Sequence, residues 1–464
     1  MVTAASPLNI AILAAGQGKR MRSGLPKVLY PIAGRPMLAY VLDTARKLAA
    51  HRICVVYGHG GDAVRARFPE PDLAWALQDP PLGTGHALAQ ALPQLGADGV
   101  TLVLFGADPM ARAETLEAVV KQARQGALSL LTIELEDPTG YGRIVRGPDG
   151  KVRAIVEHKE ATPAQREIRE INTGVMAAPT ECFARWLAAI DNRNASGEYY
   201  LTDTIALAVK EGVPIETTFA ANVIETLGVN TMRELALLER LFQRTQADAL
   251  LDAGVALADP NRVDIRGTLD CGDDVAIDVG CVFEGMVKLE SGVNVGANCV
   301  FKNVTVGTGT QILPFSYLEG ATVGANCRIG PYARLRPGAA LAADVHIGNF
   351  VEVKASAIGR GSKANHLAYI GDTTIGANVN FGAGSITANY DGANKHPTII
   401  GDDASIGSNC LLVAPITIGR GATIGGGSTI AQEAPAETLT VARARQVSVS
   451  GWKRPVKKPK IDKG

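Results

Sequence analysis

A six-residue repeat of apolar residues in the second half is the feature that most constrains this chain. Branched or large apolar side chains recur every six positions in three unbroken registers, Val300 to Leu318, Val323 to Val353 and Ile400 to Ile430. The following residue is often glycine, as at positions 307, 324, 330, 348, 401, 407, 419 and 425. Each unit has the length of one short strand and a turn. The repeat therefore predicts a solenoid with its apolar side chains inside.

The composition agrees with a narrow solenoid. Glycine accounts for 51 of the 464 residues, while aromatic residues make up only 5%. Glycine permits tight corners, and a thin prism leaves little room for rings. Two segments between Val353 and Ile400, GRGSKANH at 359–366 and NYDGANKH at 389–396, break the spacing. Loops that interrupt a solenoid are commonly functional, so we expect both to leave the coils and to carry function.

The first half has the pattern of an α/β domain. Short apolar runs at 8–14, 52–56 and 100–105 are typical of buried strands, and 37–50 has helical character. The alternation predicts a mostly parallel sheet with helices on both faces, whose ligands bind at the carboxyl ends of the strands. Helical spacing from Thr231 onward predicts one linking helix.

We therefore expect a nucleotide-binding domain over 1–230, a linker helix over 231–253, and a repeat domain over 254–464 with a basic C-terminal tail. The tail residues, which we interpret as solvated, are Lys453, Arg454, Lys457, Lys458, Lys460 and Lys463.

A glycine turn, LAAGQGKRMRSGLPK at 13–27, follows the first strand. It lacks the third glycine of a dinucleotide-binding turn, because Met21 stands there, and it lacks the GK[ST] of a P-loop. Its two glycines leave backbone amides open to phosphate, and Lys19, Arg20 and Lys27 are cations suited to a triphosphate. The alternative is a plain helix entry with surface cations.

Charge and cysteine content exclude several classes of protein. The formal net charge is zero, so no global field favours nucleic acid or an anionic membrane. The seven cysteines form no CxxC pair, which indicates reduced core residues and a cytoplasmic location. The N-terminus has no basic region ahead of its apolar stretch, and no apolar run reaches the roughly 18 residues of a membrane span.

The turn at 13–27 fits LxxGxGxRMxSxxPK and resembles the sugar-phosphate nucleotidyltransferases. Segments 78–86, 139–144, 156–159, 170–174 and 197–203 are similar to the N-acetylglucosamine-1-phosphate uridylyltransferase half of a bifunctional bacterial enzyme. The resemblance implies that a sugar phosphate attacks the α-phosphorus of UTP in line, with Mg²⁺, and releases pyrophosphate. It assigns phosphate contacts and catalysis to Lys27 and Arg20, sugar contacts to Gly142, Glu157 and Asn172, and further substrate contacts to Leu13, Ala14, Ala15, Gly16, Gln78, Gly83, Thr84, Phe105, Gly106 and Asn230.

The metal position departs from this family. The family has Gly-Asp-x-Pro after the third strand, whereas here Ala107 occupies the ligand position and Asp108 comes one residue late. In extended backbone such a slip turns a side chain to the opposite face. Either the backbone restores the ligand or the site is weakened, and we keep Asp108 as the candidate. The resemblance makes Asn230 the second ligand, although Thr231 and Glu234 form a capping box that would explain Asn230 structurally.

Segments 334–338, 348–354, 365–372 and 380–384 resemble the glucosamine-1-phosphate acetyltransferase half of the same enzyme, whose fold is a left-handed parallel β-helix. Histidine suits the removal of a proton from an amine near neutral pH, which makes His366 the candidate base; we interpret His396 as a surface residue. The resemblance assigns glucosamine-1-phosphate to Arg336, Lys354, Tyr369 and Asn380. It assigns acetyl-CoA to Ala383, Asn389, Tyr390, Ser408, Gly426 and Arg443, and it implies a homotrimer.

The chain is thus identified as a member of a bifunctional family that makes UDP-N-acetylglucosamine for peptidoglycan and lipid A synthesis. Glucosamine-1-phosphate is acetylated first, and N-acetylglucosamine-1-phosphate then reacts with UTP. Two alternatives stay open: an acetyltransferase whose uridylyltransferase site is impaired at Ala107, and a non-catalytic scaffold that binds a sugar nucleotide.

Overall fold

The computed structural model describes residues 6–457 except Gln17, His59 and Ala195, and it leaves the Lys19 side chain undescribed. Lys458, Lys460 and Lys463 of the predicted tail lie outside this range. The chain folds into two compact units, Met1–Gln246 and Ala247–Gly464. The domain limits predicted at residues 230 and 253 stay predictions.

A nine-stranded sheet forms the centre of the first unit. Its strands, in chain order, are β1 Leu8–Leu13, β2 Arg52–Tyr57, β3 Leu73–Leu77, β4 Val100–Phe105, β5 Leu128–Glu134, β6 Gly142–Arg146, β7 Val152–Val156, β8 Glu170–Pro179 and β9 Ile215–Phe219. The order across the sheet is β9-β5-β8-β4-β1-β2-β3, with β6 and β7 attached at β8. The predicted mostly parallel sheet is confirmed, except that β8 runs antiparallel to β4, β5 and β6 and that β6 and β7 pair antiparallel.

Eight α-helices are found in the described part of the chain: α1 Met37–Lys47, α2 Asp62–Arg67, α3 Thr84–Leu95, α4 Ala113–Arg124, α5 Pro163–Arg166, α6 Thr180–Ala189, α7 Thr204–Glu211 and α8 Met232–Asp252. A short pair of strands, Pro31–Ile32 and Arg35–Pro36, precedes α1. α1 and α4 pack on one face of the sheet, and α3, α6 and α7 pack on the other. Every residue of β1 is buried because both faces are covered, and this explains why it is apolar except at Asn9, whose side-chain amide donates to the Asp98 carbonyl at 2.9 Å.

The second unit is a parallel β-helix, which confirms the predicted solenoid. One sheet has 11 strands: Ala256–Leu257, Ala276–Ile277, Asn294–Val295, Gln311–Ile312, Arg328–Ile329, His346–Asn349, Lys363–His366, Asn380–Phe381, Ser405–Ile406, Thr423–Ile424 and Leu439–Thr440. The other has 16: Val263–Cys271, Cys281–Leu289, Val300–Val306, Tyr317–Glu319, Thr322–Val323, Arg334–Leu335, Ala340–Leu341, Glu352–Lys354, Ala357–Ile358, Tyr369–Gly371, Thr373–Ile375, Ile386–Ala388, Thr398–Ile400, Leu411–Val413, Ile416–Ile418 and Thr429–Ile430.

Successive coils are in strict register. Asn294 pairs with Gln311, Gln311 with Arg328, and Arg328 with His346, so one coil takes 17 or 18 residues. This is the length of three hexapeptide units. The inward side chains of all coils merge into a single apolar cluster that runs through the unit.

The two expected interruptions have different outcomes. The prediction that 359–366 leaves the coils is wrong, because Ala364 takes the inward position in a strand and pairs with Ile347 and Phe381 on the adjoining coils. Alanine in place of a branched residue concealed the repeat there. Segment 389–396 does leave the coils: Asn380 pairs with Ser405, so this coil is 25 residues long.

The interior also holds more aromatic side chains than we expected. Phe283, Phe301 and Phe381 are each no more than 2% exposed. The rings of Phe283 and Phe301 stack with their centroids 5.1 Å apart. Phe301, rather than the predicted Val300, points inward at its coil, since Val300 is only half-buried. The prism is therefore wide enough for aromatic rings, both as a stacked pair and singly, since Phe381 pairs with Ala364 and Ile406 on the adjoining coils.

No helix in the described part of the chain combines the length and the apolar character that crossing a membrane would need.

The stacked rings predict a sharp difference between interior and exterior substitutions. Phe301→Ala should lower the free energy of unfolding by about 3 to 5 kcal/mol, because it leaves a cavity inside the prism. Ile399→Ala, at a position 48% exposed, should cost less than about 1 kcal/mol. Urea unfolding followed by circular dichroism measures both, and equal losses would contradict the inward placement of Phe301.

Candidate active sites

A cavity of about 860 Å³ opens in the first unit where β1 and β4 end and α3 begins. Twelve of the predicted substrate, phosphate and metal residues line it: Leu13, Ala14, Ala15, Gly16, Arg20, Lys27, Gln78, Gly83, Thr84, Phe105, Asp108 and Asn230. They come from distant parts of the sequence. The adjacent parallel strands bring them together because their carboxyl ends meet at one edge of the sheet.

The start of α3 forms one wall of this cavity. Gly83 has a φ of +105°, and a Cβ on it would lie 2.6 Å from the Tyr199 carbonyl oxygen, so only glycine fits. The buried Gln78 side chain donates a hydrogen bond to the Gly83 carbonyl at 2.8 Å. The Thr84 hydroxyl accepts one from the Leu201 amide at 3.1 Å. These contacts, together with the Gly85 amide that donates to the Tyr199 carbonyl at 2.8 Å, fix the helix end. A helix N-terminus favours acceptor groups on a ligand.

A lysine and an asparagine meet across the cavity. The Lys27 ammonium donates to Asn230 Oδ1 at 3.0 Å. Burial lowers the pKa of Lys27, and the Asp108 carboxylate opposes this. The Asn230 and Thr231 amides donate to the Glu234 carboxylate at 2.6 and 2.9 Å, which confirms the capping box. The two explanations of Asn230 are therefore compatible, since its backbone amide binds the Glu234 carboxylate of the capping box while its side chain accepts from Lys27.

The backbone after β4 turns instead of continuing extended. The Asp108 amide donates to the Phe105 carbonyl at 3.2 Å, and the Val229 amide donates to the Ala107 carbonyl at 3.1 Å. Ala107 and Asp108 both border the cavity, but Ala107 is 4% exposed and packs in the apolar cluster under α1 and α4. The turn therefore keeps the displaced carboxylate at the cavity.

Space for the Asp108 carboxylate depends on a neighbouring glycine. A Cβ on Gly228 would lie 2.5 Å from Asp108 Oδ1. Burial raises the pKa of Asp108 to about 7, with Lys27 acting in the opposite direction. A cation near this carboxylate would favour its ionised form.

The donor set at this edge fits Mg²⁺. Asp108 offers a carboxylate and Asn230 an amide oxygen, and Mg²⁺ prefers such hard oxygen ligands together with water and substrate phosphates. Within the described residues, no three His, Cys, Asp or Glu side chains cluster closely enough to hold a metal. Asp108 and Asn230 are therefore the two protein ligands that we consider for a metal at this cavity.

Four predicted residues are not among those that line the cavity, namely Gly106, Gly142, Glu157 and Asn172. Gly142 on β6 pairs with Asn172 on β8, and a Cβ on Gly142 would lie 3.4 Å from the Glu157 carboxylate. Burial raises the pKa of Glu157, and the Thr202 hydroxyl donates to it at 3.4 Å. These three residues form a cluster of their own, whereas Gly106 is buried against Ala14. Their substrate contacts stay predictions.

His366 in the second unit is exposed and oriented by one neighbour. Its Nδ1 lies 2.7 Å from Asn349 Oδ1. With this oxygen as acceptor, Nδ1 carries the proton of the neutral ring and Nε2 has a free lone pair. Asn349 was not predicted as a site residue, although it stands 17 residues earlier, one coil away. The coil length is the sequence signal that could have identified it.

Cationic side chains gather near the strand Glu352–Lys354 of the other sheet. Arg336 donates to Glu352 at 2.8 Å, and the Lys354 ammonium lies 3.5 Å from the Asp372 carboxylate. Sequence reasoning did not predict Lys395 of the inserted segment, whose pKa is lowered by the neighbouring Lys354. The neighbouring ammonium groups of Lys354 and Lys395 form a favourable site for a dianionic phosphate monoester.

The other two predicted sugar-phosphate residues lie on different sheets. The Tyr369 hydroxyl covers Gly371, where a Cβ would lie 2.5 Å from it. Asn380 is exposed and pairs with Lys363, in the sheet that carries His366.

The residues predicted for acetyl-CoA form two groups. Ala383, Ser408 and Gly426 are stacked on consecutive coils, since the Asn409 amide donates to Ala383 at 2.7 Å and the Gly427 amide to Ser408 at 2.8 Å. Arg443 continues this column by donating to the Gly426 carbonyl at 2.8 Å.

Asn389 and Tyr390 make up the second group, at the start of the inserted segment. The Asn389 amide donates to the Asp372 carboxylate, and Tyr390 is 62% exposed. His396 ends the same segment and pairs with Asp391 at 2.7 Å.

Three family profiles match the chain. The MobA-like NTP transferase domain matches residues 10–193, the GMPPB C-terminal domain matches residues 265–358, and six repeats of the bacterial transferase hexapeptide match residues 397–432.

Curated relatives match almost the full length. A protein of Chromobacterium violaceum is 61% identical over 97% of this chain and 99% of its own length. Proteins of Nitrosospira multiformis and Azoarcus sp. are each 57% identical, over 98% and 97% of this chain and 99% and 100% of their own lengths. All three carry the name "Bifunctional protein GlmU".

Proposed function

The chain belongs to the GlmU family of bifunctional proteins, and from this we propose how its two units divide the work. The enzyme is a transferase that acetylates glucosamine-1-phosphate and then joins N-acetylglucosamine-1-phosphate to UMP. The observation that carries the assignment is similarity over 97% of the chain, together with separate nucleotidyltransferase and hexapeptide matches.

We assign uridylyl transfer to the cavity of the first unit. A phosphate oxygen of the sugar phosphate forms a bond to the α-phosphorus of UTP, and the bond from that phosphorus to pyrophosphate breaks. The attacking phosphate is already anionic and needs no base, so positioning and cations are the main contributions. Lys27 and Arg20 neutralise phosphate charge, while the fixed start of α3 and Gln78 hold the uridine.

Asp108 and Asn230 are the residues that would hold Mg²⁺. The ion supplies charge neutralisation on the phosphates when it is bound. The support is that both oxygens line the same cavity and that the turn after β4 directs Asp108 into it. The displaced carboxylate is then a working ligand, and the acetyltransferase-only alternative is disfavoured.

The test moves the carboxylate between two adjacent positions. Asp108→Ala should abolish uridylyl transfer and weaken Mn²⁺ binding by more than the roughly 10- to 100-fold that loss of an outer-shell partner causes. The double variant Ala107→Asp/Asp108→Ala should not recover, because the Ala107 side chain packs in the apolar cluster even though the residue borders the cavity. Paramagnetic resonance of bound Mn²⁺ and a pyrophosphate-release assay measure the two effects.

If the wild-type chain shows no Mg²⁺-dependent uridylyl transfer and the Ala107→Asp variant does, this assignment is contradicted. The acetyltransferase-only alternative would then hold.

We assign acetyl transfer to the face of the β-helix around His366. The amine nitrogen of glucosamine-1-phosphate forms a bond to the acetyl carbonyl carbon, and the carbon–sulfur bond of acetyl-CoA breaks. The proton of the amine passes to His366 Nε2, which the Asn349 contact leaves unprotonated. Arg336, Lys354 and Lys395 provide the cations for the sugar phosphate.

His366→Ala should lower the acetyl-transfer rate by about 10²- to 10⁴-fold, because a general base is lost. Uridylyl transfer with supplied N-acetylglucosamine-1-phosphate should be unchanged, since that site lies in the other unit. Thiol release from acetyl-CoA and pyrophosphate release from UTP are the two measurements, with the exposed His51→Ala as a control. An unchanged rate of thiol release would favour the scaffold alternative.

We further propose that the chain is a homotrimer located in the cytoplasm. His366 and Arg443 lie exposed on the β-helix, so a neighbouring copy could cover them. All seven cysteines are unpaired thiols, as in a reducing compartment. Light scattering should give three times the chain mass of 48.5 kDa, and a monomeric mass would refute the trimer.

A further inference from the structure

A buried arginine lies behind the wall of the nucleotide cavity. Arg143, on β6, is only 1% exposed, and its Nε has no hydrogen-bond partner among the described residues. Burial lowers the pKa of its guanidinium. Removing a cation from water is unfavourable by several kcal/mol unless its contacts compensate. The Asp137 carboxylate opposes this pKa shift, and the two hydrogen-bond contacts of Arg143 indicate a further role.

The guanidinium connects two segments of the chain. One terminal nitrogen donates to the carbonyl oxygen of Tyr141, just before β6, and the other lies 3.3 Å from His158 Nδ1, just after β7. A guanidinium only donates, so Nδ1 is the acceptor and the proton of the neutral imidazole is on Nε2. The planar fork of arginine can bind both acceptors at once, whereas a lysine ammonium is a single point.

Both segments lead to the cavity or to the predicted sugar contacts. Thr139, Gly140 and Tyr141 line the cavity. Gly142 follows Tyr141, and Glu157 precedes His158. The antiparallel pairing of β6 with β7, in which Arg143 lies opposite Val156, places the two segments side by side.

We infer that Arg143 is a positioning residue, which holds the Tyr141–Gly142 segment against the Glu157–His158 segment and so shapes the sugar side of the cavity. This inference rests on the proposed uridylyltransferase function. Loss of the connection lets the two segments separate, and a displacement of about 1 Å is enough to reduce a rate substantially. The uridine side, formed by Gln78 and the start of α3, does not depend on it.

Calorimetry with two ligands tests the inference. Arg143→Met and His158→Leu should each weaken UDP-N-acetylglucosamine binding by roughly tenfold, while the affinity for UTP changes by less than about twofold. The double variant should be no worse than the poorer single variant, because each change breaks the same connection. His158→Gln keeps an acceptor and should restore most of the affinity. The KM for N-acetylglucosamine-1-phosphate should follow the same order.

Arg153→Met is the matched control, because Arg153 lies on the same hairpin, is 50% exposed, and pairs with Asp149 at the surface. It should leave both affinities unchanged. If Arg143→Met does not fold, the comparison of His158→Leu with His158→Gln decides the question.

Three outcomes would each overturn the inference and leave the proposed function in place. They are equal weakening of binding for both ligands, additive effects in the double variant, and a lower melting temperature with unchanged affinities. A wild-type chain that binds neither UTP nor UDP-N-acetylglucosamine would overturn the proposed function and the inference together.

Discussion

The hydrogen-bonded register between successive coils determines where the functional groups of the second unit lie. Asn349 orients His366 because they are register partners, and Ala383, Ser408 and Gly426 form a column for the same reason. One inward side chain per hexapeptide keeps this register, since a shift would expose apolar residues and bury polar ones. Stability and the geometry of the site therefore depend on one repeating contact.

In the first unit, the ends of the strands position the residues of the cavity. β1 and β4 lie side by side and end at one edge, and the tight turns that follow them direct Gly16 and Asp108 toward the same cavity. Close packing leaves no room for larger residues at Gly83 or Gly228, whose added Cβ atoms would meet neighbouring oxygens. The glycines here define the shape of a site, whereas many glycines of the β-helix only form corners.

Both sites place buried or crowded charges where anionic substrates would bind. Burial lowers the pKa of Lys27 and raises that of Asp108, and Lys354 lowers the pKa of Lys395. Each shift reflects a charge that its surroundings leave partly uncompensated. Under the proposed function, phosphate groups or a metal ion would supply the missing partner, and ligand binding would relieve this electrostatic cost.

The sequence by itself determined the solenoid, the α/β unit and the helix at 232–252, because these follow from periodicity and local patterns. The residues expected around both sites came instead from the resemblance of its motifs to a known family. The sequence failed at Ala364, where a small inward residue hid the repeat, and at Phe301, since nothing local states the width of the prism. Only the tertiary structure placed Lys395 beside Lys354, turned Asp108 into the cavity and joined Arg143 to His158. Such contacts depend on how distant segments pack, and spacing along the chain does not encode them.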